Sequence, residues 1–378
     1  MSVQIKIYGQ PVLCFGKEGI VRVRLRQKVD LTGGGLPELE LETVLRSEAP
    51  LQLQNEQKLE LYRNGLLCAT AHVCECVRLG EQLYRIRGKP QLEYLQTEFL
   101  GAMYEAMPLL QLLDQLLEGR DYAVVDNLNS QTVSGYLPRC NRQEALRQVT
   151  VSVGGTLCMD EAGKLWLRKP GEDIEPEVLE SDRIRAEYPL QMLPEYTCFE
   201  LGAHSYTRGK LPVELKKQAE YPSGQTVLYF SNPYYNYYTD PELVIYVSEE
   251  GPNYAVVEHR GIITLYAYPY IKQTDYHTLP GVENVDYSLV HTVRDVTLVH
   301  PGNVEGLLQR MQEMGQLRIR ATVTCPVGQD SRLLRAGDPV ELPTGWGTML
   351  RGYVQKSDLL LENDAQTLVL TIACKEEK

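Results

Sequence analysis

The residues with the strongest claim to chemistry are His72, Cys74 and Cys76. In His72-Val-Cys-Glu-Cys76 they recur at every second position, so on a β-strand all three would project from one face. A structural zinc needs four ligands in a tetrahedron, and no second cluster stands nearby in sequence. The stretch therefore reads as a strand face of small residues rather than a metal site. Carboxylates occur together at Glu38/Glu40/Glu42, Glu172/Asp173 and Glu249/Glu250. A glycosidase sets two acids across an aromatic-lined cleft, and the tyrosines around Glu249 suit that idea, but charge runs on strands and turns are normally solvated faces. His204, His259, His277, His291 and His300 lie far apart and read as core or surface histidines. The sequence contains no Gly-x-Ser-x-Gly elbow, P-loop, dinucleotide fingerprint, His-Glu-x-x-His or EF-hand loop. No catalytic residue, cofactor or metal is assigned.

The 378 residues are too many for one small core and predict several domains. With 50 Asp+Glu against 38 Lys+Arg, the net charge of -12 lacks the basic footprint of a nucleic-acid binder. No stretch approaches the roughly 18 apolar residues of a membrane helix, and Met1–Tyr8 has neither a basic leader nor an apolar core of a signal peptide. The nine cysteines are scattered without a Cys-x-x-Cys pair, the pattern of reduced thiols. The aromatic balance is unusual, with 24 Tyr against 4 Phe and 2 Trp. Thirteen of those tyrosines fall within 221–287, including Tyr234, Tyr235, Tyr237 and Tyr238 and the alternating Tyr266, Tyr268 and Tyr270. Such rings carry a polar tip and suit wet protein–protein contacts; a stacking platform for sugars is the alternative.

The elements that would position these residues are mostly strands. In Ile20–Arg26, Val21, Val23 and Leu25 alternate with Arg22, Arg24 and Arg26; Glu38, Glu40 and Glu42 alternate with Leu39 and Leu41. Paired, the two strands would set arginines beside glutamates. Further strands are expected at 58–63, 66–78 and 82–87, separated by Asn64-Gly65 and Leu79-Gly80-Glu81. Helices are expected at 109–117 after Pro108, from the Asn141 cap to Gly154-Gly155, and at 304–314. A hairpin is expected at 156–168, and a linker at 171–177. The hairpin starting Lys58-Leu-Glu-Leu61 is echoed by Pro339-Val-Glu-Leu342, with Val73 and Val354 each fourteen residues after the first apolar position.

In this order the features are recognisable. The strands ending Tyr84-Arg-Ile-Arg87, the Leu-rich helix, Gly135-Tyr-Leu-Pro-Arg-Cys-Asn-Arg-Gln-Glu-Ala-Leu146, the hairpin Gly163–Arg168, and Leu334-Arg-Ala-Gly-Asp338-Pro-Val-Glu-Leu342 followed by Gly352-Tyr-Val354 resemble tail hub proteins of bacteriophages and prophages of Gram-positive hosts. The resemblance implies an α+β, predominantly β subunit with two similar β-barrel tube domains and peripheral α/β insertions. It places a first tube domain at 1–90, an α/β domain at 91–184, strands of the second tube domain at 185–230, a Tyr-rich insertion at 231–300, and a helix plus second tube domain at 301–378. It implies a non-enzymatic homotrimer, made in the bacterial cytoplasm and built into the virion tail, linking a hexameric tail tube to a trimeric spike. Tape-measure and other baseplate proteins are further implied partners, and membrane insertion is not expected. A chain ending at Lys378 suggests a stand-alone hub of a contractile particle. The alternatives are a tail-tip enzyme or carbohydrate-binding protein acting on the envelope, and a hexameric distal tail protein. The interface residues expected are Tyr234, Tyr235, Tyr237 and Tyr238 as a contact loop, with Arg22, Arg24, Glu38 and Glu40.

Overall fold

A computed structural model of the chain describes residues 2–15, 19–48, 50–51, 53–170, 175–179, 188–239, 245–327, 333–344, 347–362 and 365–376. The architecture is predominantly β, with three α-helices among the described residues.

Alternation of apolar and polar residues builds the principal sheet. Five strands near the N-terminus, Gly19–Lys28, Glu38–Arg46, Lys58–Arg63, Leu66–Arg78 and Leu83–Lys89, lie antiparallel in the spatial order third, fourth, fifth, second, first. Five later strands, Leu190–Met192, Ile319–Pro326, Pro339–Pro343, Met349–Glu362 and Ala365–Glu376, adopt the same spatial order from the same chain order. The echo between Lys58 and Pro339 is thus a structural repeat. It extends to irregularities: the fourth strand of each set slips by one residue against the fifth, between Val73 and Glu75 in one and between Val354 and Lys356 in the other.

Met349–Glu362 joins the two sets. Its first part, up to Tyr353, pairs with Pro339–Pro343, and after the bulge Lys356–Glu362 pairs with Arg22–Lys28. The result, among the described residues, is one 13-stranded sheet, completed at its margins by Val3–Ile7, Leu13–Cys14 and Glu177–Val178. At the N-terminal end the sheet curls back on itself, because Leu13–Cys14 pairs with Val3–Ile7 and Phe15 then bridges Ile20. A bulge between Ile20 and Arg22 corrects one reading of the first strand. Ile20, 1% exposed, takes the inward place expected of Val21, while Val23 and Leu25 are buried as the alternation demands. The register is held because a one-residue slip would turn Val23, Leu25, Leu39 and Leu41 to water.

Both repeats share one apolar core, and the middle of the chain packs into it. Helix α1 (Leu109–Leu116) buries Leu109, Leu112, Leu113 and Leu116 there. Helix α2 (Arg142–Ser152) starts at Asn141, whose side chain accepts from the Glu144 N–H, and buries Ala145, Leu146 and Val149. The hairpin Thr156–Met159/Leu165–Arg168 follows as expected.

Residues 193–318 make an excursion between the first and second strands of the second repeat. Of the segment 185–230 expected in the second tube domain, Leu190–Met192 joins the principal sheet, whereas Cys198–Arg208, Val213–Glu220 and Gly224–Tyr229 build other sheets. The reason is Ile262–Pro280, a 19-residue strand long enough to take Cys198–Arg208 along one half and Val213–Glu220 along the other. Helix α3 (Val304–Gly315) packs Val304, Leu307 and Leu308 on Phe199, Leu201 and Ala203 of this excursion.

Candidate functional site

Two side-chain arrays stand out, one on the polar face of the principal sheet and one in the tyrosine-rich excursion. The first follows from strand pairing. Arg24, Arg26 and Lys28 lie opposite Glu42, Glu40 and Glu38. Ion pairs form between Arg22 and Glu42 at 2.9 Å, Arg26 and Glu40 at 3.4 Å, and Lys28 and Glu38 at 2.7 Å. Arg87 on the next strand reaches Glu42 at 3.2 Å and Glu75 at 3.2 Å. On the other flank Arg24 turns to Asp358 of the second repeat. Burial works against ionisation of Glu42, yet hydrogen bonds from Arg87 and Arg22 outweigh it and hold its carboxyl below the ordinary carboxylate range. The hydrogen bond from Arg24 holds Asp358 low in the same way. The charge-patterned strands expected at 22–26 and 38–42 therefore form a self-neutralising ladder that crosses the seam between repeats.

The tyrosines divide by face. Tyr234–Thr239 is a strand and not the contact loop expected, paired with Ile262–Pro280. A bulge at Asn236, whose φ of 50° is left-handed, breaks its alternation. Tyr235 and Tyr238 consequently meet Tyr266, Tyr268 and Tyr270 on one face, with ring centroids 5.0 to 6.1 Å apart. Tyr234 and Tyr237 turn to the opposite side against Phe230. Tyr237 is 7% exposed, its hydroxyl donating to the Pro252 carbonyl, and burial drives its pKa far upward. Tyr238, at 40% exposure, is the one of the four that presents most to water. Tyr238 stacks on Tyr266, and the other ring contacts of the outer ladder are tilted, so the rings pack on each other within the sheet.

The remaining candidates are tied into local structure. The bulge between Val73 and Glu75 breaks the alternation that would align His72, Cys74 and Cys76, and the Cys74 thiol donates to the Arg87 carbonyl. Among the described residues no group of three His, Cys, Asp or Glu is placed to hold a metal ion. Glu249 accepts from the Tyr254 hydroxyl and Glu250 from the Tyr237 N–H; Glu172 and Asp173 lie outside the described residues. His204 is buried between Thr274 Oγ1 and the Arg294 carbonyl, which makes Nε2 the donor, and burial lowers its pKa. His259 is likewise fixed, Nδ1 accepting from Gly261 N–H and Nε2 meeting Thr226. His291 packs edge-on to Tyr196 and Phe199. Sequence reasoning missed Asp358 and the buried pair Arg168–Asp338, whose partners lie too far apart in the chain to leave a local signal.

No known protein family's profile matches the chain, and no curated protein sequence matches it. Solved structures do. The chain is similar to the 43 kDa tail protein of prophage MuSo2 from Shewanella oneidensis, with a TM-score of 0.56 at 11% identity over 98% of both chains. It is similar to a tail protein from Neisseria meningitidis MC58, with a TM-score of 0.55 at 12% identity over 99% of this chain and 96% of that one. Prophage tail protein gp18 from Listeria monocytogenes EGD-e follows, with a TM-score of 0.51 at 11% identity over 98% and 94%. At these identities the likeness is one of fold, and it runs the length of the chain: the β-rich architecture described above is shared with these three tail proteins.

Proposed function

We propose that the chain is a non-enzymatic structural subunit of a phage or phage-like tail, and specifically the homotrimeric hub between a hexameric tail tube and a trimeric spike. The observation that carries the reading is the internal repeat: two five-strand units of identical order, fused into one sheet, in a fold shared end to end with prophage tail proteins. Three such chains bring six similar units to a ring, which matches a sixfold tube on one side while the threefold chain symmetry suits a trimeric spike on the other. In this reading residues 1–90, Leu190–Met192 and the strands from Ile319 onward form the tube, and 91–170 with 193–318 lie at the periphery. The Arg–Glu ladder then faces the lumen, where paired charges keep the wall hydrated without a strong net field. The exposed Tyr238 and its neighbours face another baseplate component.

Native mass spectrometry of the full chain tests the reading, with a species of three subunits expected and co-purification with the tube and spike proteins of the same particle. A chain that stays monomeric at its highest soluble concentration sinks the trimer, and a six-subunit ring assigns it instead to a distal tail protein.

A further inference from the structure

A repeat of this kind can form two seams, and among the described residues the chain fills one of them internally. In the filled seam, Lys356–Glu362 at the end of the second repeat's fourth strand pairs with Arg22–Lys28 in the first repeat's first strand. The counterparts are the end of Leu66–Arg78 and the strand Leu190–Met192. Among the described residues neither has a strand on its outer side: Cys76–Arg78 pairs only with Leu83–Lys89, and Leu190–Met192 only with Ile319–Pro326.

The strand registers give the correspondence residue by residue. Val73 and Leu41 both oppose Gly88, as Val354 and Ala321 both oppose Ile372. Leu25 opposes Leu41 as Leu190 opposes Ala321. The matching bulges then align Glu75 with Lys356, and so Cys76 with Ser357 and Arg78 with Leu359. In the filled seam Ser357 opposes Gln27 and Leu359 opposes Leu25. Carried across, Cys76 opposes Met192, Val77 opposes Gln191 and Arg78 opposes Leu190.

Hydrogen-bond phase provides an independent check. In an antiparallel pair, alternate residues aim their N–H and C=O at the partner strand. Leu79 N–H bonds the Leu83 carbonyl, inward, so Cys76 and Arg78 aim outward. Leu193 N–H bonds the Arg318 carbonyl, also inward, so Leu190 and Met192 aim outward. The residues that the repeat sets opposite one another are therefore the ones whose backbone groups are free to bond. Their side chains are accessible too: Cys76 is exposed and Met192 is 62% exposed.

The geometry points to an intersubunit seam in which Glu75–Arg78 of one copy pairs antiparallel with Leu190–Leu193 of the next, in the register Cys76 to Met192. The inference rests on the ring reading above and assigns it an edge. The contact is heterologous, each copy giving one edge and receiving the other, so it closes into a ring without leaving either edge exposed.

Met192→Cys tests it. Opposed residues in such a pair have Cα atoms about 5.5 Å apart, inside the window of about 4.4 to 6.8 Å for a disulfide. Mild oxidation of this variant should yield covalent dimers and trimers on non-reducing gels, and peptide mapping should join Cys76 to position 192. Adding Cys76→Ser should abolish the link, and Gln191→Cys, which faces Val77, should not form it. A trimer in which the thiol at position 192 joins no partner, or joins Cys74 or Cys14 instead, overturns this seam and leaves the ring standing. A wild-type chain that is monomeric overturns the ring and the seam together.

Discussion

Arg24 and Asp358, 334 positions apart, grip each other across the internal seam through two parallel hydrogen bonds, Nε to Oδ1 at 2.8 Å and a terminal guanidinium nitrogen to Oδ2 at 2.7 Å. Two-point contacts of this kind hold geometry as well as charge. Arg24 is partly exposed, so the pair should be worth about 1 kcal/mol, near the top of the range for accessible ion pairs. Asp358→Asn should lower the melting temperature near neutral pH by that measure. The folded-state pKa of Asp358 is depressed, so its contribution is present above the ordinary Asp value of about 3.9 and is lost as pH falls through the lower folded value. Thermal melts of wild type and variant should therefore converge in strong acid; a gap that persists there would show that the charge is not what stabilises the seam.

Arg168 and Asp338 form a second pair, 3.5 Å apart with side chains 2% and 5% exposed, binding the 156–168 hairpin to the second repeat. Asp338 also accepts from the Arg335 N–H, fixing the loop around it. Removing one partner takes a buried counter-charge from the other, at a cost of roughly 3–5 kcal/mol. Asp338→Leu should thus unfold at clearly lower denaturant, and the double change Arg168→Met with Asp338→Leu should recover part of the loss. Urea titrations decide this; a double variant no better than the single one would mean that the site stabilises by packing rather than by charge.

What was legible in the sequence was mostly local. The alternation of Arg22–Arg26 against Glu38–Glu42 predicts their pairing, Asn141 its helix, and Tyr266, Tyr268 and Tyr270 a shared face, because each depends on residues a few positions apart. The echo of Val73 in Val354 was visible as spacing, but its meaning, a bulge in both repeats that after Val354 ends one pairing and begins another, appears only in the sheet. Strand partners such as Leu359 with Leu25 depend on global topology, which short β patterns do not encode. Tyr234–Tyr238 reads as one cluster in sequence, and the left-handed Asn236 splits it.

That split makes the four tyrosines separable. Tyr237→Ala opens a hole in the core beside Phe230 and should cost about 3–5 kcal/mol, the range for a buried aromatic. Tyr238→Ala removes a side chain that is 40% exposed and should cost about 1 kcal/mol or less. If the outer ladder contacts a baseplate partner, Tyr238→Ala should weaken incorporation into particles while melting almost as wild type does. Equal destabilisation by both changes would contradict the division of faces.

The cysteines report assembly without any substitution. Cys14, Cys74 and Cys76 are exposed, whereas Cys68, Cys158, Cys325 and Cys374 are buried. Burial pushes the Cys374 thiol up to about 12 and raises Cys68 as well, so neither supplies much thiolate near neutral pH. Alkylation of the native chain, read by mass spectrometry, should therefore mark Cys14 and Cys74 first, then Cys76, whose thiol burial also raises, and reach the buried four only on unfolding. Subunit association should add a second distinction. A strand laid against Glu75–Arg78 covers Cys76, so its labelling should fall as concentration drives assembly, while Cys14, on an edge that lies outside this seam, keeps its rate. Equal protection of both thiols, or of neither, across the association range would place the subunit contact elsewhere on the sheet.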